Sequence, residues 1–321
     1  MKNSAFIKFL NMISELNHDQ RVTVKNVIDN SDSMNYVCDI IENAFEENAK
    51  CPHCDSSMMK KNGFRSGLVR YRCKCCKRSF NALTGTPFAH LRKKELWLKY
   101  LQCMIESKTI RQSADDCDVH RNTSFRWRHR FLLEAHDTQP QLLSGIVESD
   151  ETFFRKSEKG SKKLNRPPHK RGKDNAKKGL SKEQVCVVVM CDRSGNEADY
   201  ISGTGPVSAK WIYSNLMQHI SHDSILVTDG SSSFNSFCSN SEVEHKVVVN
   251  KEGKRIQGPY HIQNVNAYHS SLKNWMRRFN GVATKYLNNY LAWNHKLKEH
   301  IDSSQQFLQK LIVAKTPLIM T

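Results

Sequence analysis

The chain has 321 residues, which is enough for two or more domains, and 49 Lys and Arg residues against 32 acidic ones give a formal net charge of +17. This charge predicts a polyanionic partner, with nucleic acid favoured over an anionic membrane surface. The sequence has no run of 18 apolar residues and no apolar segment typical of a signal peptide, so we expect neither a transmembrane helix nor secretion.

Residues 1–45 are predicted to form a helical segment that precedes the first functional motif. Apolar residues recur at helical spacing between Phe6 and Leu16. Two further short elements are suggested by Val22-Thr23-Val24 and by Ile40-Ile41. No residue of this segment indicates chemistry.

Five of the eleven cysteines crowd together in a predicted zinc ribbon over residues 46–86. Two C-x-x-C motifs, separated by 18 residues, supply the four thiolates that Zn²⁺ prefers. We therefore expect one structural Zn²⁺, with these ligands: Cys51, Cys54, Cys73 and Cys76. Cys75 could replace Cys73 or Cys76, and a redox pair or buried thiols are the alternatives. The other six cysteines are scattered, which favours a reducing cytoplasm over a disulfide framework.

Residues 87–138 have the pattern of a helix-turn-helix DNA-binding domain. A short helix is predicted over residues 109–117, a turn over 118–120, and a second, basic helix over 121–133. The second helix would enter the major groove of DNA. Its candidate DNA-contacting residues are Arg121, Arg126, Arg128 and Arg130. An ordinary pair of antiparallel helices is the alternative.

From residue 139 onward, strands alternate with helices, and this pattern predicts an α/β domain with a mixed sheet. A β-prone segment over residues 146–154 carries Asp150, and an apolar strand over 224–230 ends in Asp229 followed by Gly230. Two carboxylates, each on its own strand, suit a divalent metal ion such as Mg²⁺. The alternative is that each Asp is an ordinary residue of a strand end or turn.

A strongly basic insert over residues 155–178 follows the first of these strands. It contains 11 Lys or Arg residues, Lys170 and Arg171 among them, and 2 acidic residues, a net of +9 (11 − 2). We expect this insert to bind DNA phosphates, and a solvated loop is the alternative.

A predicted helix over residues 261–279 completes the set of candidate site residues. Its apolar residues recur at helical spacing, which leaves Asn266 and Lys273 together on the opposite face, two turns apart. Periodicity alone favours the alternative that both are ordinary surface residues.

Taken in order, these motifs resemble the ISXO-like insertion-sequence transposases, which have an RNase H-like core. The resemblance rests on the zinc ribbon, the helix-turn-helix, Asp-Glu-Thr on a first strand, Thr-Asp-Gly on a later strand and a helix that begins His-Ile-x-x-Val-Asn. It extends from about Cys51 to Trp293. It implies a multidomain protein in which residues 139–321 form an RNase H-like catalytic domain.

The resemblance also implies metal-dependent cleavage of a DNA strand followed by strand transfer, with two Mg²⁺ (or Mn²⁺) ions about 4 Å apart. Asp150 would bridge the two ions, Asp229 would hold one and Asn266 the other, while Lys273 would contact a phosphate. Many relatives have Glu at the third position, and one branch of the family has this Asp-Asp-Asn-Lys signature.

Two neighbouring carboxylates, Glu148 and Glu151, could be accessory ligands, but we expect neither to be essential. The implied partner is double-stranded DNA, both the terminal inverted repeats of the element and its target, bound by a homodimer at the cytoplasmic nucleoid. One alternative is a transposase-derived DNA-binding protein in which Asn266 has ended catalysis. Another is a structure-specific nuclease built on the same core.

Overall fold

A computed structural model gives the structure of the chain over most of its length. The ranges that it describes are residues 3–133, 142–164, 181–241, 243–248, 258–299, 301 and 303–313.

The chain forms two compact units. Unit 1 consists of Met1–Glu134 together with His300–Thr321, and unit 2 consists of Ala135–Glu299.

Unit 1 begins with two helices, α1 (Asn3–Ser14) and α2 (His18–Glu46). The Asn17 side chain accepts a hydrogen bond from Gln20 N (2.9 Å), and Gln20 Oε1 accepts one from Asn17 N (3.0 Å), a capping box that starts α2. The sequence suggested two short elements where α2 is one continuous helix of 29 residues. No Gly or Pro interrupts this stretch, so the helix continues through its polar middle.

The predicted ribbon is a three-stranded antiparallel sheet. It contains β1 (Met59–Arg65), β2 (Leu68–Cys73) and β3 (Ser79–Asn81), in that spatial order. The cysteine motifs adjoin the sheet, because Cys73 ends β2 and Cys51 precedes β1 by eight residues.

Three helices follow in unit 1: α3 (Trp97–Ile105), α4 (Ile110–Asp116) and α5 (Arg121–Leu132). Thr109 starts α4 with a second capping box, in which its side chain pairs with Gln112. The observed bounds of α4 and α5 agree with the short helix, tight turn and basic helix expected from the sequence.

Unit 2 is built on a five-stranded mixed sheet. Its strands are β4 (Ile146–Arg155), β5 (Gln184–Asp192), β6 (Glu197–Thr204), β7 (Ile225–Thr228) and β8 (Glu244–Val247). The spatial order is β6-β5-β4-β7-β8, with β5 antiparallel to both of its neighbours, β4 and β6, and with β7 and β8 parallel to β4.

Helices cover both faces of this sheet. They are α6 (Ala209–Leu216), α7 (Ser232–Ser239), α8 (Gln263–Arg277) and α9 (Leu287–Lys298). Val147 of β4 shares a fully buried core with Ile212 of α6 and Phe234 of α7. Glu148, on the opposite face of β4, meets the start of α8. The three layers are consistent with the RNase H-like core that the sequence predicts.

The last helix, α10 (Ser304–Val313), returns to unit 1, where it packs against α2 and α3. Its core residues are at most 2% exposed: Phe307, Leu308, Leu311 and Ile312. The sequence analysis placed this segment with the catalytic domain, because its apolar pattern does not identify the surface that it covers. Within the described part of the chain, no helix is long and apolar enough to cross a bilayer.

Candidate active site

Three carboxylates converge where two parallel strands of unit 2 run side by side. The parallel register pairs Glu148 with Val227. Continued for two more residues along each strand, this register places Asp150 beside Asp229. Carboxylate oxygens of Asp150, Glu151 and Asp229 all lie within 4.8 Å of one another. Side chains 79 residues apart in sequence therefore form one acidic cluster.

The turn after β7 fixes the position of Asp229. Ser231 N donates a hydrogen bond to Asp229 Oδ1 (3.0 Å). Gly230 has φ +82°, and a Cβ at this position would lie 2.4 Å from Val247 Cγ1. A side chain would thus be strained by its backbone conformation and would collide with β8. The Thr-Asp-Gly motif keeps its glycine for this reason.

Burial makes the cluster resist ionisation in the absence of a cation. It raises the pKa of Asp150 to about 6, with the charge of Asp229 as a further cause. The pKa of Glu151 rises to about 7, again through burial first and then through repulsion from Asp150 and Asp229. A divalent cation would offset both effects, so the donor set fits an oxygen-coordinated ion such as Mg²⁺ or Mn²⁺.

Glu148 is fully buried and binds the first turn of α8. Its Oε2 accepts hydrogen bonds from Asn264 N (2.8 Å) and Val265 N (3.2 Å). Its Oε1 lies 2.6 Å from Arg193 Nη1 and 3.3 Å from His261 Nδ1. The suggestion that Glu148 could be an accessory metal ligand is therefore wrong, because its Oε2 is occupied by two amides of α8 and its Oε1 lies against the Arg193 guanidinium and the His261 imidazole.

One face of α8 runs past the acidic cluster. His269 Nδ1 lies 3.9 Å from Asp150 Oδ2. Burial, with a smaller contribution from the charge of Lys273, lowers the pKa of His269 to about 4, so this imidazole is neutral at pH 7. The positive charge of Lys273 partly offsets the rise in the pKa of Asp150.

Asn266 occupies an exposed position one turn before His269 on the same helix. The third carboxylate within the cluster is Glu151, so the cluster differs in composition from the predicted set. The convergence of the Asn266 amide with the aspartates stays a prediction.

His269 was not predicted from the sequence, and Glu151 was predicted only as an accessory ligand. His269 falls at helical spacing between Asn266 and Lys273, so the periodicity used for those two residues could have found it. Glu151 follows Asp150 directly, and strand alternation argues against a shared site, but its longer side chain brings an oxygen into the cluster.

The four predicted zinc ligands form a second cluster, in unit 1. Their Sγ atoms all lie within 4.8 Å of one another, with Cys51–Cys76 and Cys54–Cys73 separations of 3.6 Å. A tetrahedral Zn²⁺ with Zn–S bonds of about 2.3 Å would separate its sulfurs by about 3.8 Å, so the cluster fits this ion. Cys75 lies outside it, with Sγ 3.2 Å from Ser56 Oγ.

One predicted DNA contact on α5 is wrong. Arg128 is fully buried, donates hydrogen bonds from Nη2 to Lys108 O (2.9 Å) and Ser113 Oγ (3.1 Å), and lies over the Tyr100 ring. It joins α3, α4 and α5, because position 128 lies on the same helix face as the buried Ser124 and Phe131.

The other arginines of α5 remain candidates for DNA contact. Arg121 and Arg126 are exposed and Arg130 is half-buried. Lys170 and Arg171 of the basic insert lie outside the described residues.

An RNase H-like sheet with an acidic cluster on adjacent parallel strands is the arrangement of the DDE-type polynucleotidyl transferases. Residues 142–293 match the family model described as the ISXO2-like transposase domain. This match confirms the resemblance to the insertion-sequence transposases that was found in the sequence.

Two individual proteins are similar to the chain. The uncharacterized protein in transposable element ISH50 of Halobacterium salinarum is 28% identical over 248 residues, which is 75% of this chain and 82% of that protein. The crystal structure of a pre-cleavage Mos1 transpososome matches 66% of this chain and 76% of its own, with 15% identity and a TM-score of 0.25, too low to support an argument.

Proposed function

We propose that this protein binds the ends of an insertion sequence and catalyses metal-dependent DNA strand cleavage and strand transfer. The observation that carries the proposal is the cluster of Asp150, Glu151 and Asp229, which lies within the ISXO2-like transposase domain. Asp150 and Glu151 are partly buried and Asp229 is exposed, and a divalent ion would stabilise three carboxylates held this close together.

The metal-binding roles follow from the donor atoms. Asp150 and Asp229 would hold Mg²⁺ or Mn²⁺, with Asn266 as a neutral oxygen donor. Two such ions would activate the attacking oxygen and stabilise the leaving oxygen of an in-line phosphoryl transfer. Glu151 supplies the negative charge that Asn266 lacks, and this favours an active enzyme over a relic.

Helix α8 contributes positioning and phosphate contact. Glu148 holds the first turn of α8 through the backbone amides of Asn264 and Val265, the two residues that directly precede Asn266. Lys273 is the residue that we expect to contact a phosphate beside the cleaved bond, since it lies on α8 one turn after His269, whose Nδ1 is 3.9 Å from Asp150 Oδ2.

The DNA-binding roles belong to other parts of the chain. Helices α4 and α5 would act as a helix-turn-helix, with Arg121, Arg126 and Arg130 at the DNA. The basic insert with Lys170 and Arg171 would bind phosphates near the catalytic centre. The ribbon would be held by one structural Zn²⁺, and two copies of the chain would bring two element ends together.

The proposal is tested with Asp229→Ala in a strand-transfer assay that uses terminal-repeat DNA and Mg²⁺ or Mn²⁺. We expect cleavage to fall by at least about 100-fold while end binding persists, because loss of a metal ligand removes several kcal/mol of transition-state stabilisation. Asp223→Ala is the matched control, since Asp223 is an exposed aspartate shortly before β7. Cleavage by Asp229→Ala at the wild-type rate would refute the assignment.

A DNA-binding relic is the second candidate, and the amide at Asn266 is what favours it. It predicts that the wild-type protein binds element ends but cuts nothing in Mg²⁺ or Mn²⁺. A structure-specific nuclease would instead cut duplexes that lack the terminal repeat, and comparison of the two substrates separates these cases.

A further inference from the structure

A cavity of about 430 Å³ lies in unit 2, and the roles described above leave it without a ligand. Its walls come from the end of β4 with the residues that follow, from the second half of α8, and from the segment between Gly281 and Leu287. The volume falls within the range of about 300–1,000 Å³ that small-ligand sites have.

The lining of the cavity combines an apolar surface with positive charge. The apolar part comes mainly from two aromatic rings and two aliphatic side chains: Phe153, Phe154, Met276 and Val282. The charged part consists of four cations: Arg155, Lys156, Lys273 and Arg277. No acidic residue is among the residues that line it. A ligand that matches both parts has a flat apolar body joined to an anion, as a nucleotide does.

The two loops that form the mouth of the cavity are tied to each other. Ser157 N donates to Thr284 Oγ1 (2.8 Å), and Thr284 N donates to Ser157 O (2.8 Å). Lys159 Nζ donates to Asn280 O (3.0 Å) and Gly281 O (2.9 Å). The walls are therefore held in place before any ligand binds, which reduces the entropy lost on binding.

The cavity continues directly from the acidic cluster. Phe154 follows Asp150 by four residues on β4, a distance of about 13 Å at 3.3 Å per residue. Helix α8 also joins the two, because Lys273 lines the cavity and lies one turn after His269, whose Nδ1 is 3.9 Å from Asp150 Oδ2. At about 3.4 Å per nucleotide, a DNA strand that starts at the carboxylates reaches the cavity within about four nucleotides.

We propose that this cavity holds one unstacked nucleotide of the cleaved DNA strand, within about four positions of the scissile phosphate. The base would lie against Phe154 and Met276, and Arg277 and Lys156 would bind its phosphate. Aromatic stacking accepts any base, so the site would fix the position of the strand and not its sequence. The inference rests on the proposed function, since it assumes that a DNA strand crosses the acidic cluster.

The test replaces single bases of an element-end duplex with 2-aminopurine, whose fluorescence rises when it leaves the base stack. One duplex is made for each of the four positions on either side of the cleavage point. Each is bound to the full-length protein without Mg²⁺ or Mn²⁺, so that no strand is cut. We expect one position to brighten severalfold on complex formation, while the others stay near the level of the free duplex.

Two variants and one matched control link the signal to the cavity. Val282→Phe fills the cavity and Arg277→Ala removes a cation from its lining, so both are expected to abolish the brightening and to weaken end binding about tenfold. Arg278→Ala removes the same charge from the next residue, which is exposed and does not line the cavity, and should keep the signal. A fluorescence anisotropy measurement confirms that each complex forms.

The outcomes separate this proposal from the proposed function. A complex that forms and cuts DNA in Mg²⁺, but brightens at no position, would overturn the nucleotide site alone. An unchanged signal in Val282→Phe would do the same. Absence of any complex with element ends would overturn both proposals. If one position brightens but the Asp229→Ala variant still cuts DNA, the nucleotide site stands and the metal-site assignment is wrong.

Discussion

Glu148 carries its charge at a position with no exposed surface, and the fold surrounds it with donors. Two backbone amides of α8, one guanidinium and one imidazole meet its two oxygens. The carboxylate lies at the positive end of the helix dipole, so the same contacts stabilise the charge and fix the start of α8.

Removal of this charge should destabilise unit 2. In Glu148→Gln, we expect the free energy of unfolding to fall by about 2–4 kcal/mol, because the α8 amides and Arg193 lose a charged acceptor. Glu244→Gln is the control, since Glu244 pairs with Lys246 at an exposed site on the same sheet and such pairs contribute less than about 1 kcal/mol. Urea denaturation measures both, and equal losses would contradict the role given to Glu148.

The raised pKa values of the acidic cluster give a stability change with a defined sign. Glu151 has a folded-state pKa of about 7, above its ordinary value, so its ionisation opposes folding at pH 8 and not at pH 4, where it is protonated in both states. Glu151→Gln should therefore raise the Tm at pH 8, without added Mg²⁺ or Mn²⁺, and leave it nearly unchanged at pH 4. An equal shift at both pH values would exclude this cause.

Ionisation of the cluster should favour metal binding, so metal affinity should rise with pH. A cation binds the ionised carboxylates, and Asp150 and Glu151 hold protons below pH values of about 6 and 7. Mn²⁺ affinity is expected to fall as the pH drops from 8 to 5.5, with proton release on binding. Calorimetry in two buffers of different ionisation enthalpy measures the released protons.

Residue-scale inference from the sequence succeeded where a pattern is local. Asp150 and Asp229 could be proposed from the sequence because each belongs to a recognisable strand signal: Asp150 lies within β4, and Asp229 directly follows β7. Glu148 was misjudged because its partners lie 45 and 113 residues further along the chain, at Arg193 and His261. Arg128 was misjudged because a basic residue on a basic helix gives no sign that it faces inward.

At the scale of elements, the four-cysteine cluster should control the fold of the ribbon. Cys76→Ser is expected to release the zinc and unfold the ribbon, since small domains of this kind fold on their metal. Cys75→Ser is the matched control one residue away, and it should keep one zinc per chain because its Sγ lies outside the cluster. Atomic absorption gives the zinc content, and zinc loss from Cys75→Ser with retention in Cys76→Ser would reverse the assignment.

Most elements could be predicted from the sequence because their signals are short-ranged. The capping residue Thr109 and the turn before Arg121 define α4 and α5, and the Ser194-Gly195-Asn196 turn separates β5 from β6. Helix α2 was divided wrongly, because its polar middle hides a continuous helix. The packing partners of α10 could not be predicted, since an apolar helix face does not show which other helices it packs against.

For the whole molecule, charge predicts how DNA binding responds to salt. Each phosphate contact contributes about −0.9 to the slope of log K against log salt concentration. The double variant Lys170→Ala/Arg171→Ala should therefore flatten the slope by about 2 and weaken binding to any duplex. Lys210→Ala, an exposed cation on α6, is expected to leave the slope unchanged. An unaltered slope in the double variant would remove these residues from the interface.

The return of α10 to unit 1 has a consequence for synthesis. Helices α2 and α3 emerge from the ribosome long before Phe307 and Leu311, which they need to cover their apolar surface. Unit 1 can therefore complete its core only after the whole transposase domain has been translated. A premature stop anywhere in that domain would leave the nascent N-terminal part with an uncovered core, so a truncated product would not persist as a well-folded protein.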